Sequence, residues 1–281
     1  MTQKKWLEQI GGILEEVRSK KPLVHHITNY VTVNDCANIT LAIGASPIMA
    51  DDIGEAADIT AISSALVLNI GTLNERTIES MLAAGKQANE NGIPVVFDPV
   101  GAGASELRNR TTRRILEEVK ISVLRGNLSE VRFVAGLDSR TKGVDASEED
   151  SRGGLQAARD TAQAVSKRLG CVTAVTGAID IVTDGTRTLY LKNGVPALSG
   201  VTGTGCMCSS LVGSFCGATD DFLSAAAGGI LCMSIAGELA AELAAERAKE
   251  LGSGSFRVAL VDAISRMSAE ILEERAKFDE A

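Results

Sequence analysis

The chain has 281 residues, enough to bury a full core, and no stretch reads as a linker, so a single domain over 1–281 is expected. A formal charge of −8 and an aromatic content of 3% exclude a nucleic-acid surface, which needs basic clusters and stacking rings. They point to a small-molecule partner instead.

The opening MTQKKWLEQIGGILEEV mixes charges into an amphipathic helix with Trp6, Ile10, Ile13, Leu14 and Val17 on one face. A signal peptide would carry an uninterrupted apolar core, so a cytoplasmic location is expected. There the six cysteines (Cys36, Cys171, Cys206, Cys208, Cys216, Cys232) are expected to stay reduced.

Short β-branched runs then alternate with helical patterns. SPIMA (46–50) and ALVLNIG (65–71) read as strands, followed by a helix from Leu73 to Glu90 with Ile78, Met81 and Leu82 inward. IPVVFDP (93–99), a helix from Leu107 to Val119 carrying Ile115 and Leu116, ISVLRG (121–126) and CVTAVTG (171–177) continue the rhythm. This alternation predicts a mainly parallel sheet.

Residues 179–191, IDIVTDGTRTLYL, break it: Asp184-Gly185 between two β-rich runs predicts a two-residue hairpin and an antiparallel edge. No charge occurs between Lys192 and Asp220, but Gly, Ser and Thr interrupt that run too often for a membrane span, and buried backbone near a ligand fits it better. A helix from Phe222 to Leu251 and a last one carrying Phe256, Leu260, Ile264, Met267 and Ile271 complete the chain.

The chemically distinctive residues follow the expected strands: Met49 and Asp51, Asn69 and Gly71, Asp98 to Gly103, Arg125 to Glu130, Thr176-Gly177. In a parallel sheet those carboxyl ends share one edge, where ligands bind. Asp98 ends a buried strand before a glycine-rich turn; it either faces a ligand or caps the next helix. Asn127 and Glu130 stand one helical turn apart and, beside Asp98, suggest Mg²⁺ held partly through waters; alone they would read as a capped helix with an exposed Glu. Arg125 suits either phosphate or a surface ion pair.

Gly203-Thr204-Gly205 before a helical segment can aim several unpaired amides at one spot, a place for an anion or for charge developing in phosphoryl transfer. Neither Gly101-x-Gly103 nor Gly203-x-Gly205 completes a G-x-G-x-x-G, and no P-loop is present. Cys206 at that helix start is placed to act as a base or nucleophile, while Cys208 reads as core. The adjacent His25 and His26 read as structural, orienting the Thr28-Asn29 turn, and Cys206-x-Cys208 lacks the second pair that zinc requires.

PLVHHITNYV (22–31), GASPIMA (44–50), ALVLNIGTL (65–73), DPVGAGA (98–104), RGNLSE (125–130), KGVDA (142–146), AVTGAID (174–180) and VTGTGC (201–206) together resemble the hydroxyethylthiazole kinase family of the ribokinase-like superfamily. The resemblance implies a three-layer α/β fold with a mainly parallel central sheet, helices on both faces and a small antiparallel edge. It implies transfer of the γ-phosphoryl group of ATP, with Mg²⁺, to the primary alcohol of 4-methyl-5-(2-hydroxyethyl)thiazole, within thiamine salvage. A homotrimer with active sites at subunit interfaces is implied as well. Carried over by position, Met49, Asn29, Val31 and Gly203 match substrate contacts, Arg125 and Thr176 ATP contacts, and Asp98, Asn127 and Glu130 the metal site. Gly203, Thr204 and Gly205 match the anion hole, with Cys206 where many related sugar kinases have an aspartate base. Another small alcohol, such as a hydroxymethylpyrimidine, is the alternative substrate, and a catalytically silent nucleotide binder the alternative class.

Overall fold

Trp6, Ile10, Ile13, Leu14 and Val17 all lie buried along α1 (Gln3–Lys20), whose first turn is capped by the Thr2 hydroxyl accepting from the Lys5 amide. The computed structural model describes residues 2–137, 152–246 and 252–281; the KGVDA stretch and Leu251, the expected end of the long apolar helix, lie outside them. One nine-stranded sheet organises the rest, in the order β2-β1-β3-β4-β5-β6-β7-β8-β9.

The strands are β1 (Leu23–Ile27), β2 (Ser46–Met49), β3 (Ala65–Asn69), β4 (Val95–Asp98), β5 (Val123–Asn127), β6 (Val172–Thr176), β7 (Asp180–Thr183), β8 (Thr188–Leu191) and β9 (Phe278–Glu280). Pairing from β2 through β6 is parallel, and β7, β8 and β9 add the antiparallel edge. Helices cover both faces, because strand side chains alternate. Val67, Val96 and Val123 enter one apolar cluster; Leu66, Val95, Phe97 and Leu124 enter the other.

The first cluster packs under α1, α2 (Val33–Ile43), α8 (Thr204–Cys216), α9 (Phe222–Glu246), α10 (Ser253–Ser265) and α11 (Ala269–Arg275). The second packs under α4 (Glu75–Glu90), α5 (Glu106–Glu118), α6 (Leu128–Val134) and α7 (Arg152–Leu169). A short α3 (Ala56–Ala61) lies between β2 and β3. Within α9, Phe222–Leu243 has the length and hydropathy of a membrane span, yet 83% of that window is buried in the protein.

Four details depart from the sequence reading. β1 hides its strand character behind His25 and His26, and β9 is three residues at the chain's end. The hairpin after β7 has four loop residues instead of two, since Thr183 pairs with Thr188. Asp184 causes this: its carboxylate accepts from the Thr186 and Arg187 amides and folds the longer turn around itself. The expected last helix is two, because Ser268 leaves helical geometry to cap α11 through the Ile271 amide.

Strand order positions the site. After β1 the chain steps outward to β2, then returns to the opposite side of β1 as β3. The loops leaving β1 and β3 therefore diverge and open a crevice at the carboxyl edge, where α/β sheets bind ligands.

Candidate active site

Register sets the polar residues side by side. Asn69 ends β3 opposite Asp98 at the end of β4, and Asn127 on β5 stands opposite Thr176 on β6. Asp98 is 1% exposed; its Oδ2 accepts from Ser209 Oγ at 2.7 Å and Asn69 Nδ2 at 3.2 Å, with Arg125 Nη1 at 3.5 Å. Its Oδ1 is buried with no hydrogen-bond partner. Burial pushes the carboxyl up to about 6, Arg125 pulls the other way and Glu130 adds to the rise. Asp98 caps no helix; Ser105 caps α5.

Arg125 is internal and no surface ion pair. Beyond Asp98 it donates through Nη2 to Thr176 Oγ1 at 2.7 Å, while its buried Nε has no partner. Burial opposes its charge, but Asp98 and other nearby acids raise its affinity for the proton. An ion pair enclosed this way is costly to break from one side, about 3–5 kcal/mol.

Asn127 and Glu130 face each other. Asn127 caps α6, its Oδ1 accepting from the Glu130 amide at 3.0 Å, and Glu130 Oε2 accepts from the Asn127 amide at 2.8 Å. Glu130 Oε1 accepts from the Gly101 amide at 2.8 Å, so the carboxylate is buried and ties the turn after β4 to α6. Among the described residues no cluster of three or more His, Cys, Asp or Glu could hold a metal ion. Two carboxylates, one with an unpartnered buried oxygen, fit a cation that keeps several of its waters.

Gly203 starts α8 with φ +90°, and a Cβ there would stand 2.5 Å from Thr32 Cγ2, so only glycine fits. A Cβ on Gly205 would stand 2.9 Å from Arg125 Nη1; the turn therefore lies against the guanidinium. The first helical bond runs from the Met207 amide to the Gly203 carbonyl, which leaves the amides of Thr204, Gly205 and Cys206 ahead of the ladder. Thr204 Oγ1 donates back to Leu198 O and Val201 O and fixes the entry. The result is a small positive concavity beside a half-buried thiol.

Cys206 Sγ accepts from Asn29 Nδ2 at 3.2 Å and Asn69 Nδ2 at 3.3 Å. Between the β1 and β3 loops, lined by the residues on either side of Asn29, lies a cavity of about 240 Å³ formed by His26, Thr28, Tyr30, Val33, Met49, Asp51, Thr72, Asn74 and Thr77. Of the residues matched to substrate contacts, Met49 lines it. Asn29 alternates with Thr28 and Tyr30 and turns toward the thiol instead, and Val31 is 57% exposed. A second, apolar cleft beside Thr176 is lined by Leu128, Leu155, Ala158, Val175, Ile179 and Ile181.

The histidines differ. His25 bonds Thr60 Oγ1 and Ala50 O and is structural; His26 bonds only Val24 O and leaves a buried Nε2 unpaired at the cavity's edge. Three contributors escaped the sequence reading. Arg108 bonds the carbonyls of Ile70, Gly71 and Val100, so it clamps the loops after β3 and β4 together, and nothing in its surface-like context announces that. Thr32 packs under Gly203. Ser209 had a signal: it stands one helical turn after Cys206, on the same side of α8.

A mainly parallel sheet whose carboxyl edge gathers a buried acid, an internal arginine and a glycine-led helix start is the architecture of an α/β enzyme with an anion-binding crevice. The chain belongs to the hydroxyethylthiazole kinase family, whose model matches residues 14–270. A hydroxyethylthiazole kinase of Clostridium beijerinckii is 63% identical over 272 residues, 97% of each chain, and one of Ruminiclostridium cellulolyticum is 60% identical over 275 residues, 98% of each. Among solved structures, a hydroxyethylthiazole kinase protein from Pyrococcus horikoshii OT3 superimposes with a TM-score of 0.85 at 37% identity, covering 98% of this chain and 99% of its own. A Bacillus subtilis pyridoxal kinase, 16% identical with a TM-score of 0.52, shares the fold alone. The chain is thus an enzyme, a kinase, with the three-layer fold and antiparallel edge its sequence implies.

Proposed function

We propose that this kinase domain transfers the γ-phosphoryl group of ATP to the primary hydroxyl of 4-methyl-5-(2-hydroxyethyl)thiazole, giving the thiazole phosphate used to build thiamine phosphate. The carrying observation is the half-buried Cys206 thiol at the start of α8, joined through Asn69 to the buried Asp98 and through Asn29 to the loop that, with Met49, lines a small cavity. The thiazole ring occupies the cavity against Met49, near Val31 and Asn29, and its hydroxyl meets Sγ. The amides of Gly203 to Cys206 receive the charge that develops on the transferring group. Arg125 and Thr176 hold the ATP phosphates.

Mg²⁺, held by Asp98 and Glu130 partly through waters and with Asn127 beside them, would neutralise phosphate charge. Positioning dominates such transfers, so Cys206 need only orient the alcohol and take its proton late.

We place the enzyme in the cytoplasm as a homotrimer with its sites at subunit interfaces. Tyr30, Val31 and Ile53 are exposed in loops beside edge strand β2, and Leu41 is exposed on α2, which packs against it. A second copy covering this margin would close the cavity.

The test is Mg²⁺-dependent ATP turnover with the thiazole alcohol, beside Cys206→Ala and Cys206→Asp. Turnover that falls about 10²-fold with alanine and survives with aspartate supports the assignment. No turnover by the parent protein redirects it to another small alcohol or to silent binding.

A further inference from the structure

Every polar atom of Asn69 is committed. Its Oδ1 accepts from the Gly71 amide at 2.9 Å and from Asn29 Nδ2 at 3.1 Å; its Nδ2 donates to Cys206 Sγ at 3.3 Å and Asp98 Oδ2 at 3.2 Å. The Gly71 N–H can only donate, so it fixes which end of the amide carries oxygen. Asn29 is fixed the same way, since its Oδ1 accepts from the Thr32 amide at 3.1 Å. Both NH₂ groups therefore face sulfur, and Sγ is an acceptor on two sides. Its remaining direction is the open one, toward the crevice, because Cys206 alone of the six cysteines is not buried.

Asn69 is also the side chain that touches both reacting ends of the site, the thiol and the buried acid. It is 1% exposed, and its strand is packed on both sides. A sulfur tethered to such a group cannot swing without breaking bonds inside the sheet edge. Cysteine has one rotatable bond before its sulfur, so two fixed donors suffice to hold one rotamer.

We infer that Asn69, seconded by Asn29, is a positioning residue that aims the Cys206 thiol at the substrate hydroxyl and locks it to the Asp98 side of the site. It touches no substrate and works through Cys206. The inference rests on the phosphotransfer reading above.

A double-mutant cycle tests it, with kcat and KM measured for the parent, Asn69→Ala, Cys206→Ala and the double variant. Asn69→Ala is expected to lower kcat about 10–50-fold while KM for either substrate moves less than about threefold. In the Cys206→Ala background the same change should cost less than about threefold. Equal losses in both backgrounds, or no loss in the parent, would overturn the inference. Asn69→Ser, which keeps a hydroxyl but is too short to reach sulfur, should match alanine and replaces it if alanine unfolds.

Alkylation of Cys206 by iodoacetamide, followed by mass spectrometry, reads the tether without any turnover. Losing an amide donor should slow it about threefold or more, because Sγ then leaves the single rotamer that faces the open crevice. An unchanged rate sinks the tether even if the enzyme is active. A slowed rate in a parent that phosphorylates nothing keeps the tether and rejects only the kinase reading.

Discussion

The crevice above the parallel strands has two unlike sides. Toward β3, β4 and β5 the side chains of Asn69, Asp98 and Arg125 hold one another in place, Glu130 is held by the Gly101 and Asn127 amides, and the orphan atoms there are Asp98 Oδ1 and Arg125 Nε. Toward β1 and β2 the lining is looser: Met49 is half-buried, Tyr30 is 79% exposed, and His26 Nε2 has no partner. The first side is organised before any ligand arrives, as electrostatic catalysis requires. The second is left open to solvent. Substitutions on the first side should therefore strike kcat, and those on the second KM.

Asp98→Asn should show the largest effect. It keeps the shape but removes the charge that Arg125 faces. We expect kcat to fall about 10³-fold, near 4 kcal/mol of transition-state stabilisation, with KM for the alcohol changed less than about threefold. A rise in KM with kcat preserved would erase the distinction between the two sides.

Met49→Ala should act in the opposite manner. Truncating the cavity's apolar wall removes contacts made equally in ground and transition states, so KM for the alcohol should rise about 30-fold, or 2 kcal/mol, while kcat and KM for ATP hold. A matching loss in kcat would mean that the cavity helps aim the hydroxyl and does more than bind the ring.

The two sides also differ in how far the sequence discloses them. Asp98, Arg125 and Cys206 stand out because the first two fall near the ends of β-rich runs and the third opens a helix. The alternating strands and helices likewise disclose the parallel sheet. What stays hidden is tertiary. Arg108 sits in an exposed-looking helix face yet clamps two loops, and Asn69, which the sequence marks out at a strand end, gives no sign there of its bonds to Asp98 and Cys206. The break at 266–268 is hidden for a local reason: Ile264, Met267 and Ile271 keep helical spacing straight across it, and only the Ser268 cap interrupts the backbone. β1 is masked because its paired histidines imitate a polar turn.

Acid should separate the sides once more, with the smallest effect. Burial lowers His26 to about 4 and lowers His25 as well, so both are neutral in the fold, and the stability they lend is complete above 6.5 and lost as pH falls toward 4. Asp98 has the opposite sign: raised to about 6, it lends stability below 3.8 that disappears as pH rises through 6. Between about pH 7.5 and 5.5 His26 should remove about 1 kcal/mol, while Asp98 and Asp180, both raised to about 6 by burial, work the other way. The His26 share is the part of the drop in urea midpoint that depends on the imidazole. His26→Asn should shrink that drop while leaving the Asp98 contribution in place. An undiminished drop would mean that His26 is already hydrated, and the margin at β1 would then be as well satisfied as the centre.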